Sequence, residues 1–209
     1  MDIEAINLNK SFGQTVVLRD LNIRFAQGKR TVIMGDSGCG KTTLLRIIMG
    51  LETFDSGELN GVPKKIGVVF QEDRLLENFS AVSNIALAAD KGVTKEVILT
   101  HLDYVGLHDS ALQSVRELSG GMKRRVALVR AILSKKELLL MDEPFNGLDE
   151  QTRERIALYI KGHSEGLTTI IVSHDIDEVA LLDAELIRME RTVPIKWSAN
   201  ALKYHDAIY

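Results

Sequence analysis

The stretch Thr31-Val32-Ile33-Met34-Gly35-Asp36-Ser37-Gly38-Cys39-Gly40-Lys41-Thr42-Thr43 decides the fold. Its opening residues are a short apolar run, as expected of a strand covered on both faces of a parallel sheet. From Lys41 to Met49 the pattern becomes helical. Between the two, Gly35 to Thr42 fit the pattern G-x-x-x-x-G-K-[ST]. Glycines let the backbone curl so that successive N–H groups point inward at phosphate oxygens, beside a helix N-terminus carrying partial positive charge. Lys41 adds a full charge near the β- and γ-phosphates, and the Thr42 hydroxyl can ligate Mg²⁺. The plainer alternative is a glycine-rich turn capping a helix, but its placement after a buried strand and before a helix favours a nucleotide loop. Cys39 reads as a tolerated small residue whose thiol has no catalytic partner. The loop alone does not choose between kinase, GTPase and ATPase.

Working outward, Ile3 to Leu8 and Val16 to Phe25 read as strands, the second with Leu21, Ile23 and Phe25 alternating with polar residues. Buried strands are expected at Ile66 to Phe70, Leu138 to Met141 and Thr169 to Val172, with a last one near Glu185 to Met189. Residues from about Ser80 to Leu133 show helical periodicity instead. There Met122, Val126, Val129 and Leu133 keep one apolar face, while Lys123, Arg124, Arg125 and Arg130 fall mostly elsewhere. The reading is a parallel-sheet α/β core interrupted by a helical insertion.

Composition sets limits on this reading. The 209 residues suffice for one sizeable core with a modest subdomain. A net charge of -3 argues against a nucleic-acid-coating protein. A single cysteine rules out an internal disulfide and fits a reducing cytosol. No apolar stretch approaches the roughly 20 residues that span a bilayer, and Met1 to Lys10 lacks a signal-peptide layout. If the protein serves a membrane process, another chain supplies the membrane part.

Four further elements bear on the chemistry. Leu138-Leu139-Leu140-Met141-Asp142-Glu143 is an apolar strand ending in two carboxylates. The first can hold Mg²⁺ through water and the second can polarise an attacking water, which assigns Asp142 to the metal and Glu143 to the general base. Two solvated acids at a strand end is the competing reading. His174 follows the strand Thr169 to Val172, where an imidazole can bond the γ-phosphate and fix the attacking water, or can be a surface histidine. Gln71 ends another apolar strand; it can offer its amide oxygen to the metal, or be an ordinary surface glutamine. Ser119, Gly120 and Gly121 precede a strongly patterned helix as a plain N-cap or as a second anion cradle. One chain rarely needs two phosphate cradles for one nucleotide, so a second one suggests service to a neighbouring chain's ATP.

These elements, in this order, resemble the nucleotide-binding subunits of ATP-binding cassette (ABC) transporters, from Phe12 to His174. The resemblance matches Gly35 to Thr42 to the Walker A loop, Gln71 to the Q-loop and Leu118 to Met122 to the LSGGQ-type signature. It also matches Leu138 to Asp142 with Glu143 to Walker B, Gly147-Leu148-Asp149 to the D-loop and His174 to the switch histidine. It implies a P-loop NTPase fold: a mostly parallel sheet core, an antiparallel N-terminal β subdomain and an inserted helical subdomain. One domain over 1–209 is expected, with its core at 1–79 and 134–209 and the helical, signature-bearing part at 80–133. It implies nucleotide contacts by Gly35, Asp36, Ser37, Gly38, Cys39, Gly40, Lys41, Thr42, Thr43, Ser119, Gly120 and Gly121. Thr42, Gln71 and Asp142 are implied at Mg²⁺, and Glu143, His174, Lys41 and Gln71 in catalysis. Phe12 stands where a tyrosine usually stacks on adenine, and stacking needs only the ring. Met122 replaces the usual signature glutamine at a position that does not face phosphate. Since the chain ends soon after its last strand, the regulatory domain that some importer subunits carry is not expected here.

Phe70 to Leu76 resembles the importer subunits for nitrate, sulfonate and taurine, although Glu77-Asn78 replace their Pro-Trp. The resemblance thus implies an ATP-hydrolysing subunit, cytoplasmic and peripheral on the inner face of the membrane. It would be a homodimer, or paired with a second ATPase subunit, on integral-membrane permease subunits served by an extracytoplasmic solute-binding protein. Soluble ABC ATPases of DNA repair or chromosome maintenance share these motifs but carry long coiled coils, and no sustained heptads occur here. An exporter or lipoprotein-release ATPase is the other alternative. A small-molecule kinase would leave the signature, Glu143 and His174 unexplained.

Overall fold

The apolar runs Thr31 to Met34, Leu138 to Met141 and Thr169 to Val172 all form strands with their side chains out of water. A computed structural model of the chain describes residues 1–190. The strands are β1 (Ile3–Phe12), β2 (Thr15–Phe25), β3 (Arg30–Gly35), β4 (Ser56–Asn60), β5 (Ile66–Val69), β6 (Leu138–Asp142), β7 (Thr168–Val172) and β8 (Glu185–Met189). The helices are α1 (Lys41–Ile48), α2 (Ala81–Ala86), α3 (Lys95–Tyr104), α4 (Gly120–Leu133), α5 (Glu150–His163) and α6 (Asp177–Leu181). The end of the core segment expected over 134–209 lies outside the described residues. The chain divides into two compact units, one of Met1–Lys64 with the described residues from Gly166 on, the other Lys65–Glu165.

In the first unit, β2, β1 and β4 form an antiparallel sheet, and β3 pairs in parallel with both β7 and β8. Leu21, Ile23 and Phe25 are buried while Asn22 and Arg24 between them are exposed, as the alternation in β2 predicts. Strand β4 was not anticipated. Its sequence, Ser-Gly-Glu-Leu-Asn, carries one apolar residue, and it is a strand because β1 offers it an edge to pair with.

In the second unit, β5 and β6 pair in parallel, and α2, α3 and α4 are inserted between them in sequence. Helix α4 departs from the single apolar face expected of it. Val126 to Val129, Ala131 and Ile132 are all buried, while Met122 and Leu133 are only half covered. It is a helix buried nearly all round, and Arg124 goes inside with it at 5% exposure.

Candidate active site

In the first unit the phosphate loop is built by close backbone packing. A Cβ on Gly35 would lie 2.0 Å from the Met189 carbonyl oxygen of β8, so no side chain fits. A Cβ on Gly40 would lie 2.6 Å from Leu18 Cδ2 and 3.2 Å from the Val17 carbonyl oxygen of β2. Gly40 also has φ +101°, which an L-residue rarely adopts, and it stands at the N-cap of α1 without any side-chain cap. The first N–H groups of α1 are therefore left to the loop rather than taken by a serine or aspartate. Lys41 lies over the loop: its Nζ donates to the carbonyl oxygens of Gly35 at 2.6 Å and Asp36 at 3.0 Å. Asp36, Ser37, Gly38 and Thr42 are exposed, and Thr43 is half-buried. Cys39 turns inward at 1% exposure, with Sγ 3.8 Å from Lys41 Nζ. Its side chain is packing, and only its backbone is available to a phosphate.

Phe12 and His174 belong to the same unit. Phe12 ends β1, paired with Thr15 across the turn that leads into Val17 and Leu18, the residues lying against Gly40. Phe12 is 48% exposed, with Lys10 Nζ 4.7 Å from the ring centroid. Lys10 is itself held by Glu52 at 2.8 Å. His174 is exposed and leaves β7 just after Val172, which pairs with Ile33, and the Ser173 N–H still bonds the Ile33 carbonyl. The parallel register thus brings His174 out at the edge of the sheet where β3 turns into the phosphate loop.

The second unit carries the remaining candidates. Asp142 is buried at the end of β6 with 7% exposure. Glu143 follows with φ +50°, a left-handed conformation that is uncommon for a side-chain-bearing residue and tends to mark functional positions. Asn146 lies one turn further on, with its N–H bonded to the Glu143 carbonyl and its Nδ2 3.5 Å from Glu143 Oε2. Ser119 is the N-cap of α4, its hydroxyl accepting from the Met122 N–H at 3.3 Å. Gly121 lies against Gly147 and Leu148, so the start of α4 touches the Gly147 to Asp149 loop directly. Asp149 then caps α5 through the Thr152 N–H at 2.9 Å and hydroxyl at 2.8 Å, and these bonds hold its carboxyl below the usual range.

Gln71 has an exposed side chain, but its backbone is held from below. Arg124 donates to the carbonyl oxygens of Phe70 and of Gln71, the latter at 2.8 Å, and pairs with Asp73 at 3.1 Å. Arg130 donates to the carbonyls of Arg74 at 2.7 Å and Asp73 at 2.9 Å. Burial raises the Asp73 carboxyl above its ordinary value, against the pull of Arg124, Lys123 and Arg130. This arginine support was missed in the sequence, where the basic residues read only as lying mostly off the apolar face. The one available signal was Asp73 as an anionic partner, and it does not say which arginine it meets.

A family model described as ABC transporter matches residues 18–146. The taurine import ATP-binding protein TauB of Pseudomonas aeruginosa is 39% identical over 205 residues, covering 90% of this chain and 77% of TauB. The aliphatic sulfonates import ATP-binding protein SsuB of Albidiferax ferrireducens is 38% identical over 193 residues, covering 88% of this chain and 69% of SsuB. Among solved structures, the dimeric bacterial ABC transporter cassette MJ0796 superposes with a TM-score of 0.80 at 28% identity, covering 90% of this chain and 94% of that one. The same cassette in a post-hydrolysis state bound to ADP and Pi gives 0.77 at 29% identity. A family match over this length, with a phosphate loop built on β3 and a serine-glycine cap on α4, leaves one conclusion: the chain belongs to the ABC transporter family, as an ATP-binding cassette.

Proposed function

We propose that this cassette hydrolyses Mg-ATP to power the uptake of a small sulfonate-type solute through separate membrane subunits. The observation that carries the solute class is the 39% identity with a taurine import ATP-binding protein across 90% of the chain. Family membership makes the chain an ABC ATPase. Among the described residues no helix is long and apolar enough to cross a membrane, so this reading needs partner permease chains. It places the cassette on the cytoplasmic side, against those permeases, with a solute-binding protein outside.

Each assignment follows from chemistry already described. The uncapped start of α1 and Lys41 bind the phosphates, and Phe12 stacks on the base. The donors offered to Mg²⁺ are the Thr42 hydroxyl, the Asp142 carboxylate and the Gln71 amide oxygen, a hard all-oxygen set that suits this ion. When bound, Mg²⁺ would neutralise charge on the phosphates. Glu143 takes the proton of the attacking water, and His174 holds that water by the γ-phosphate. Ser119, Gly120 and Gly121 close over the ATP of a second cassette, so each site draws on two chains. The experiment is turnover by the purified protein beside Glu143→Gln. Hydrolysis should fall about 100- to 10,000-fold while ATP binding stays within twofold. Undiminished turnover would remove Glu143 as the base. A several-fold rise in turnover on reconstitution with the permeases and a sulfonate-loaded binding protein would support the transport reading, and no change would contradict it.

A further inference from the structure

Helix α4 has two jobs that its sequence keeps within two turns. Its N-terminus presents Ser119 and Gly120, and its second turn carries Arg124. The Arg124 side chain is 7% exposed and makes three separate contacts: the Phe70 carbonyl, the Gln71 carbonyl at 2.8 Å and the Asp73 carboxylate at 3.1 Å. Arg130, almost two turns on, takes two carbonyls further along the same loop, those of Asp73 and Arg74. Arg74 adopts φ +46° and its guanidinium lies 4.0 Å from the Phe70 ring, so the loop is folded tightly on itself over these donors. Burying a guanidinium for stability alone is a poor bargain, because an apolar side chain of similar volume often does as well or better. What Arg124 supplies that an apolar residue cannot is a planar fork of fixed geometry. That fork grips the main chain immediately before and at Gln71, and so sets where the Gln71 side chain starts.

We propose that Arg124 is a positioning residue for Gln71, fixing its backbone to α4 so that its amide oxygen is presented to the ATP-bound cation by the same body that carries Ser119 and Gly120. The inference rests on the reading of Gln71 as a cation ligand given above. It resembles the outer-shell support of metal ligands elsewhere, where loss of an orienting partner typically costs about 10- to 100-fold in metal affinity.

The test is equilibrium binding of a fluorescent ATP analogue to the full chain, titrated with Mg²⁺, for wild type, Arg124→Met, Arg124→Lys, Gln71→Ala and the double variant Arg124→Met/Gln71→Ala. Without Mg²⁺ all five should bind the analogue within about twofold of one another, since the phosphate loop is untouched. The half-saturating Mg²⁺ concentration should rise about tenfold in Gln71→Ala and by a similar factor in Arg124→Met. The double variant should be no worse than Gln71→Ala, because the two residues act through one ligand. Arg124→Lys keeps the charge beside Asp73 but loses the fork, and should fall between wild type and Arg124→Met. If Arg124→Met does not fold, the position of Arg124→Lys decides the matter by the same titration. A wild-type Mg²⁺ response in the Arg124 variants alongside a defective Gln71→Ala would overturn the positioning role alone. A wild-type response in Gln71→Ala would overturn the cation reading of Gln71 and this inference with it. Fully additive defects in the double variant would mean that Arg124 acts elsewhere.

Discussion

The chain opens two helices with glycines, and the two openings are built on opposite principles. At α1 the glycines are demanded from within: Gly35 and Gly40 have no room for a Cβ, and no side chain caps the helix. At α4 the cap is an ordinary serine in extended conformation, and a Cβ on Gly120 would meet nothing within 4 Å. Neither Gly120 nor Gly121 needs a positive φ. Gly121 is moderately crowded, since a Cβ there would lie 3.2 Å from the Gly147 carbonyl oxygen, but Gly120 is not required by its own unit at all. The difference teaches where each loop finds its ligand. The first is shaped by close packing within its own chain and the second is left open on the surface; under the proposed function the first holds its own chain's phosphates and the second meets a second cassette's nucleotide.

Substitutions can break or sharpen that comparison. The largest effect is expected at Gly35. Gly35→Ala forces the loop away from Met189 and should cost about 3 kcal/mol, seen as a fall in melting temperature, together with loss of ATP binding. A variant that melts like wild type would show that the loop is not held by this contact. Ser119→Ala should be intermediate. It removes the N-cap of a 14-residue helix and should cost about 1 kcal/mol by denaturant titration. Gly120→Ala should have the smallest effect on stability, within about 0.5 kcal/mol of wild type, since the site is open and alanine favours helix. It should still abolish the ATP-dependent dimer of the Glu143→Gln variant in size-exclusion chromatography. A Gly120→Ala protein that dimerises normally with ATP would mean that the open surface at α4 is bare for no functional reason.

The two loops also differ in how much could be read from sequence. The α1 loop was legible because its requirements are local: a buried strand, glycines at a fixed spacing and a lysine all lie within a dozen residues. The α4 cap was legible as a cap or as an anion cradle, and only its pairing with the phosphate loop suggested that it serves a neighbouring chain. Arg124 was not legible. Helical periodicity sorts residues by polarity, and it put this arginine off the apolar face with its basic neighbours. Burial was decided instead by carbonyls of a loop some fifty residues earlier, which no local pattern reports. Strand β4 escaped for a similar reason, since its pairing with β1 is a long-range choice made by a sequence with almost no apolar content. Cys39 shows the same limit on a smaller scale: its place in the loop was visible, but the inward turn of its thiol depends on Gly35 behind it.

The central claim is that each ATP is held by the phosphate loop of one chain and the α4 cap of another, and a mixed dimer tests it most directly. Lys41→Ala damages the first half of a site and Ser119→Arg the second. As homodimers, each variant should occlude no nucleotide. A purified dimer of one Lys41→Ala chain with one Ser119→Arg chain gathers both lesions at one site and leaves the other site intact. On this account the mixed dimer occludes one ATP per pair, measured with radiolabelled nucleotide after rapid gel filtration. A mixed dimer that occludes none would mean that α4 serves the nucleotide of its own chain, and would contradict the shared site.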